Sequence, residues 1–265
     1  MKPLKSCCFM LTCFTFFGLY QCSFLQKEKP NPFYAEISQY SSFQPALYTQ
    51  YEQLYQQNHN LIYTLNLVNH PSFLKKGDYD SFSFGEHHLF VNPYFRLKAD
   101  FTPHQLEKVT LPKIHRQSEV MLIDQKTQEM YQQLFTETTS LGLELVIFSA
   151  YRSYAYQSHL YEQAKNPDYV AKPGASEHQT GCALDIATLD TGLSEYFEQT
   201  AEFHFLKDNA HRFGFILRYP KGKEHITGYP HESWHFRYVG VSIATIIYQS
   251  NLTLEEYIYQ YVEII

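Results

Sequence analysis

The chain has 265 residues, of which 44% are apolar and 18% are charged, and its formal net charge is −6. This composition excludes a largely disordered chain, because the apolar fraction is sufficient to form a buried core. The acidic balance gives no electrostatic support for nucleic-acid binding, so nucleic acid is not an expected partner. The length suits one enzyme domain with an appendage, or two small domains.

The first 22 residues have the pattern of a targeting segment. Lys2 and Lys5 precede an apolar run over residues 7–20, which has the length of a signal-peptide core and is short for a membrane-spanning helix. Cys22 follows in a sequence that resembles a lipobox, the signal for N-terminal lipidation. Lipidation, an uncleaved anchor and ordinary secretion all remain open. Each predicts that the rest of the chain is exported, and the first two attach it to the membrane.

Of the five cysteines, only Cys182 lies beyond the targeting segment. No disulfide can form within the body of the chain, so its stability must come from the core. Cys182 itself is predicted to be a buried, small apolar side chain.

Residues 23–110 are predicted to form a tether and a small helical appendage. The stretch up to about residue 45 is polar and contains Pro30 and Pro32, as is typical of a tether. Apolar residues at helical spacing follow this stretch. The main domain is then predicted over 111–250. A C-terminal helix is predicted over 251–265, where Thr253 opens a capping box.

The main domain alternates helical and strand patterns without repeats. The predicted helices cover 119–141, 154–165, 202–213 and 241–249, and the predicted strands cover 143–150, 182–186, 215–219 and 234–239. Glycines end two of these helices, at Gly142 and Gly214. Helices flanking a small, mostly antiparallel sheet make the predicted fold class α+β.

A histidine and an aspartate with metal-ligand character flank a turn in residues 176–185. Gly181 permits a sharp bend between His178 and Asp185, and the strand that follows can bring both side chains to one point. A catalytic zinc site takes three protein ligands and leaves one position open. Among the 13 histidines, His235 is the best third candidate, because it projects from a predicted strand.

Glu232 precedes His235 by three residues, near enough to act on a metal-bound water without binding the metal. Each of these residues alone has an ordinary structural explanation, such as a hydrogen-bonded histidine or a solvated acid. Their joint pattern favours metal-assisted hydrolysis.

These residues also occur in an order that resembles the VanY/LdcB-type D-alanyl-D-alanine carboxypeptidases of the M15 metallopeptidases. The likeness covers roughly residues 110 to 245, with Ser233 standing where proline is usual and Cys182 where an aliphatic residue is common. The matching motifs are Ser149-Ala150-Tyr151-Arg152-Ser153, Ser176-x-His178-x-x-Gly181-x-Ala183-x-Asp185, Arg218-Tyr219-Pro220-Lys221-Gly222-Lys223-Glu224 and Glu232-x-Trp234-His235.

The resemblance implies an M15 (hedgehog-like) zinc peptidase fold with one zinc ion per chain. The ion would be bound by His178, Asp185 and His235, with Glu232 as the general base. Arg152 would hold the terminal carboxylate of the substrate, a role that suits a guanidinium fork at the end of a buried strand. The same pocket has three further candidates with alternative packing or turn roles: Tyr151, Gln157 and Ser176. Arg218 and Arg237 are predicted to form ion pairs at strand edges.

The predicted function is zinc-dependent removal of the C-terminal D-alanine from peptidoglycan stem peptides that end in D-Ala-D-Ala. An L,D-carboxypeptidase acting on tetrapeptide stems is the nearest alternative, and a D,D-dipeptidase is a further one. From other classes, a non-catalytic wall-binding module could use the same cleft, or a signalling domain could have the N-terminal appendage as its functional part. The expected partners are stem peptides and, through the N-terminal segment, the membrane; a monomer is expected.

Overall fold

The computed structural model describes residues 31–69, 79–85, 88–114, 120–167 and 170–262. The predicted targeting segment, including Cys22, lies outside these residues. No helix within the described ranges is long and apolar enough to cross a membrane.

Short helices and strands alternate along the chain. The α-helices are α1 (Pro32–Ile37), α2 (Tyr48–Asn58), α3 (Leu61–Asn69), α4 (Gln125–Ser140), α5 (Tyr154–Gln163), α6 (Ala201–Asn209), α7 (Glu224–Thr227), α8 (Val241–Gln249) and α9 (Leu254–Tyr261). The strands are β1 (Tyr79–Asp80), β2 (Phe82–Gly85), β3 (His88–Phe90), β4 (Phe95–Arg96), β5 (Leu106–Lys108), β6 (Leu122–Asp124), β7 (Val146–Ser149), β8 (Ala183–Ala187), β9 (Phe215–Tyr219) and β10 (Glu232–Tyr238).

Four antiparallel strands form the central sheet, in the order β7-β8-β10-β9. Small two-stranded sheets lie outside it, and of these only the β1-β4 pair is parallel among the described residues. The α+β prediction is therefore confirmed. In the central sheet, Asp185 on β8 lies directly opposite His235 on β10. This register places both side chains on the same face of the sheet.

The main core lies against the central sheet and is formed by apolar side chains from β7, β8, β9, α4 and α6. Leu184 and Ile186 enter it from one face of β8, while Asp185 faces the other side. Cys182 is also buried in this core, as predicted, and burial raises the pKa of its thiol. The strand that carries Asp185 is consequently held by packing along its length.

One helix begins later than the sequence pattern indicates. The stretch 119–141 was predicted to be a single helix, but Leu122–Asp124 pair with Leu106–Lys108 as strands. The carboxylate of Asp124 then accepts a hydrogen bond from the backbone N–H of Thr127 and caps α4. Val120, inside the predicted helix but before α4, is 57% exposed.

A second helix is divided. The predicted helix 202–213 forms α6 and then a 3₁₀ turn, Ala210–Phe213, which ends at Gly214 with φ +83°. Phe203, Leu206 and Phe213 bury their side chains in the main core. This segment therefore acts as a buttress behind the sheet.

The helices of the N-terminal appendage have a small core of their own, formed by Ile37, Tyr51 and Leu65. The side-chain amide of Asn66 on α3 donates hydrogen bonds to the carbonyls of Tyr259 and Val262, at 3.1 and 2.8 Å. These carbonyls belong to the C-terminal end of α9, where intrahelical donors are lacking. The appendage thus caps the C-terminal helix.

Gly181 is required by the turn between His178 and Asp185. Its φ is +73°, and a Cβ placed there would lie 3.0 Å from Leu106 Cδ2 and 3.2 Å from the Asp124 backbone nitrogen. Gly142 has a similar φ of +75° but nothing within 4 Å.

We expect Gly142→Ala to lower the free energy of unfolding by about 1–2 kcal/mol, the cost of a left-handed conformation. Gly181→Ala should lose about 1–3 kcal/mol more, because it adds overpacking. Urea denaturation of both variants measures the difference. Equal losses would show that the turn can relax around a methyl group.

Candidate active site

Three buried side chains meet on the face of the central sheet opposite the main core. One ligand atom from each of His178, Asp185 and His235 lies within 4.8 Å of the others. His178 Nε2 is 3.2 Å from Asp185 Oδ2, and His235 Nδ1 is 3.0 Å from Asp185 Oδ1. The two imidazole rings are nearly perpendicular, with centroids 5.0 Å apart.

In each histidine, one ring nitrogen is directed at Asp185 and the other contacts an oxygen atom of another residue. His178 Nδ1 lies 2.6 Å from the carbonyl oxygen of Ala150, so it donates a proton there and leaves the Nε2 lone pair directed at Asp185. His235 Nε2 lies 3.3 Å from a carboxylate oxygen of Glu177, which leaves Nδ1 directed at the same point. Both lone pairs and the carboxylate therefore converge.

The electrostatic environment keeps Asp185 ionised. Burial opposes its charge, but the interactions with His178 and His235 hold the pKa of its carboxyl well below the usual range. Burial lowers the pKa of His178 to about 4, and the nearby guanidinium of Arg152 adds to this effect. Burial also disfavours the charged form of His235, but hydrogen bonds to Asp185 and Glu177 raise its pKa to about 9. A cation bound by His178, Asp185 and His235 would displace the proton of the His235 ring.

Glu232 lies at the edge of this cluster without belonging to it. Its carboxylate is 3.7 Å from His235 Nδ1, and its backbone is fixed by pairing with Tyr219 on β9. Desolvation in the cavity raises the pKa of the Glu232 carboxyl to about 7, although the charge of His235 opposes this. A bound divalent cation would lower it again. The carboxylate is thus placed to accept a proton near neutral pH.

The cluster lines a cavity of about 240 Å³. Of the four predicted substrate-binding residues, Arg152, Gln157 and Ser176 line this cavity, whereas Tyr151 is not among its lining residues. Arg152 Nε and Gln157 Oε1 are both buried, and neither has a hydrogen-bond partner among the described residues. A buried polar atom without a partner is costly, so these two atoms point to a polar ligand in the cavity.

Apolar side chains form part of the cavity wall. They come from α5, from the segment that follows α5, and from residues just before β10 and near its start: Leu160, Ala164, Val170, Ala171, Pro230 and Trp234. The cavity therefore combines an apolar wall section with many polar and charged groups, which suits a small polar ligand.

The prediction for Arg218 and Arg237 requires correction. Both form ion pairs, and Arg218 lies on the edge strand β9, but Arg237 lies on the inner strand β10 and both side chains are fully buried. Their common partner is Glu177, an acid inside the metal-binding motif that the sequence did not mark as functional. Burial opposes its charge, but the two guanidinium groups hold its pKa well below the usual range.

Comparison with known proteins identifies relatives of this chain. Residues 120–241 match a family model described as VanY, D-alanyl-D-alanine carboxypeptidase. The chain is 38% identical to the putative carboxypeptidase YodJ of Bacillus subtilis (strain 168) over 180 residues, which is 63% of this chain and 65% of YodJ. It also superimposes on the structure of the LdcB LD-carboxypeptidase with a TM-score of 0.61 and 36% identity, covering 64% of this chain and 84% of that one.

The chain belongs to the VanY carboxypeptidase family. It spans 65%, 55% and 35% of the length of three curated relatives, so it matches only part of those proteins. A mutant of the vancomycin resistance D,D-pentapeptidase VanY, solved in complex with Zn(II), gives a TM-score of 0.53 at 32% identity and covers 64% of this chain and 97% of that one.

The donor set of this VanY-family chain fits a zinc ion. Two neutral imidazole nitrogens and one carboxylate are typical ligands of catalytic zinc, and three protein ligands leave a position open. Histidine ligands of a metal usually donate their second ring N–H to an acceptor. Ala150 and Glu177 supply these acceptors for His178 and His235. His178, Asp185 and His235 would therefore hold the ion.

Proposed function

We propose that this chain is a zinc carboxypeptidase that releases the C-terminal D-alanine of peptidoglycan stem peptides ending in D-Ala-D-Ala. One observation carries the proposal: Glu232 and Arg152 line the same cavity as the buried group of His178, Asp185 and His235. A proton acceptor, a cation site and a carboxylate-binding group within one cavity are the requirements of a metal-dependent exopeptidase.

When bound, zinc supplies Lewis acidity, which acidifies a water molecule and polarises the scissile carbonyl. Glu232 accepts the proton of that water on a carboxylate oxygen and later returns it to the leaving amine. The pKa of about 7 in the absence of a cation reflects the poorly solvated surroundings that strengthen this proton transfer. The cavity needs no nucleophilic side chain for this reaction.

Arg152 orients the substrate. Its guanidinium can hold the terminal carboxylate of the peptide, and the buried Nε supplies one of two parallel hydrogen bonds. The Nε2 of Gln157 is engaged with the carbonyl of Ala171 at 2.7 Å, so its Oε1 is left to accept a hydrogen bond from a substrate N–H. Together they select a peptide that ends in the cavity.

A second candidate is an L,D-carboxypeptidase acting on tetrapeptide stems. The similarity to the LdcB LD-carboxypeptidase favours it, because that structure superimposes with a higher TM-score than the D,D-pentapeptidase does. The two activities share the metal centre, the base and the carboxylate pocket, and they differ only in the residue that precedes the terminal D-alanine.

We also propose that the catalytic part acts outside the cytoplasm as a monomer, held near the membrane by the N-terminal segment. The basic and apolar pattern of residues 1–22 supports export, and stem peptides of the wall are an extracytoplasmic substrate. Cell fractionation of the full chain tests the attachment, and incorporation of labelled fatty acid into the wild-type protein but not into Cys22→Ala tests whether Cys22 is lipidated.

The function is tested by D-alanine release from pentapeptide and tetrapeptide stems, offered separately with zinc and after chelation. Zinc-dependent release from the pentapeptide alone supports the D,D activity, and release from the tetrapeptide alone supports the L,D activity. Release from neither, despite bound zinc, would contradict both and favour a wall-binding module.

We expect Arg152→Met to lower kcat/KM by on the order of 10- to 100-fold, mostly through KM, because a hydrogen-bonded charge pair is worth about 1.5–3 kcal/mol. A substrate with an amidated C-terminus provides the control. The wild-type protein should process it poorly, and the substitution should then have little further effect. An equal effect of Arg152→Met on both substrates would show that Arg152 does not bind the carboxylate.

A further inference from the structure

Glu177 is a fully buried carboxylate whose two oxygens have different partners. Oε2 lies 3.3 Å from Nε2 of His235. Oε1 accepts a hydrogen bond of 2.8 Å from Nε of Arg218 and lies 3.3 Å from Nη1 of Arg237. Glu177 therefore connects the ring of one metal-site histidine to two buried guanidinium groups.

The contact with His235 involves the ring nitrogen opposite the metal site. His235 directs Nδ1 toward Asp185, so Nε2 must carry the proton and needs an acceptor. Glu177 is that acceptor, just as the carbonyl of Ala150 is the acceptor for His178. A hydrogen bond at this position fixes both the tautomer and the rotation of the imidazole.

Glu177 is not itself placed as a ligand. Within the described ranges, the group of donor atoms that approach one another within 4.8 Å comprises His178, Asp185 and His235, without Glu177. Both of its oxygens are also already engaged by His235 and the arginines. Its carboxylate acts on the metal site only through His235.

The arginine that fixes Glu177 is anchored in turn by the C-terminal helix. Arg218 Nη1 and Nη2 donate to the carboxylate of Glu255 on α9 at 2.8 and 2.6 Å. Arg237 Nη2 donates to the carbonyl of Leu89 on β3 at 3.0 Å. The position of Glu177 is thus determined from two sides by fully buried groups.

We propose that Glu177 is a positioning residue that orients His235 for metal binding through its hydrogen bond to Nε2. The inference rests on the proposed zinc-dependent function but concerns a residue outside the group of metal-ligand atoms. It predicts that the metal affinity depends on this carboxylate even when the fold is intact.

The test is the zinc dissociation constant of the purified protein, measured by competition with a chromophoric chelator. Glu177→Gln preserves the shape of the side chain, and we expect it to weaken zinc binding by about 10- to 100-fold. A second variant, Glu177→Met with Arg237→Met, removes an ion pair as a unit and so avoids a buried uncompensated charge. It should fold and show a similar loss of zinc affinity.

Glu255→Gln is the matched control, because it removes a buried carboxylate from the same network without touching His235. It should lower stability and weaken zinc binding less than Glu177→Gln does, because its effect reaches His235 only through Arg218 and Glu177. Zinc affinities of the Glu177 variants equal to wild type, or an equal loss in Glu255→Gln, would overturn the inference. Both results leave the proposed function intact, whereas a wild-type protein that binds no zinc would overturn both.

Discussion

Glu232→Gln is expected to lower the rate of D-alanine release by about 10²- to 10⁴-fold, the range of general acid–base catalysis. Glutamine keeps the size of the side chain but cannot accept the proton of the attacking water. Because Glu232 is not part of the group His178, Asp185 and His235, zinc binding should be unchanged. Single-turnover assays on the zinc-loaded variant measure the loss.

Glu195→Gln is the control for this substitution, since Glu195 is exposed in a 3₁₀ turn (Glu195–Gln199) and does not line the cavity. It should retain wild-type activity. A Glu232→Gln protein that keeps its rate would contradict the assignment of the base, and one that loses zinc would show Glu232 to be a ligand.

Arg218→Met is expected to have the largest effect on stability. The guanidinium lies between two buried carboxylates, Glu177 and Glu255, and its removal leaves both without their main partner. Breaking a buried pair by removing one member costs about 3–5 kcal/mol of unfolding free energy. Urea denaturation measures the loss, and a second substitution, Glu255→Gln, should restore part of it.

Arg212→Met is the matched control. This arginine forms an ion pair of 2.7 Å with Glu137, but its side chain is 49% exposed, so solvent screens the interaction. The loss should be below about 1 kcal/mol. Similar losses for the two arginines would contradict the account of the buried network.

The sequence indicated the metal site because its pattern is local. His178, Asp185 and the intervening Gly181 lie in one turn and strand, and His235 follows Glu232 on a strand with clear aromatic and β-branched content. When these two strands pair, their register places Asp185 opposite His235. The α+β fold class was also predictable, because it follows from local helix and strand patterns.

The buried network could not be predicted in this way. Glu177 lies 58 residues from His235 and 41 residues from Arg218, and Arg218 lies 37 residues from Glu255. Charged residues are usually exposed, so the burial of these four depends on partners that no short pattern reveals. The start of α4 was misread for a related reason, because pairing between β5 and β6 overrides the helical spacing before Gln125.

One zinc ion, held by His178, Asp185 and His235, is proposed to support D-alanine release. The most direct measurement is a titration of the metal-depleted protein with zinc, at a protein concentration above the dissociation constant, while release from the stem peptides is followed. Activity should rise linearly and stop rising at one equivalent of zinc per chain. Full activity without metal, or a rise that continues to two equivalents, would contradict the claim.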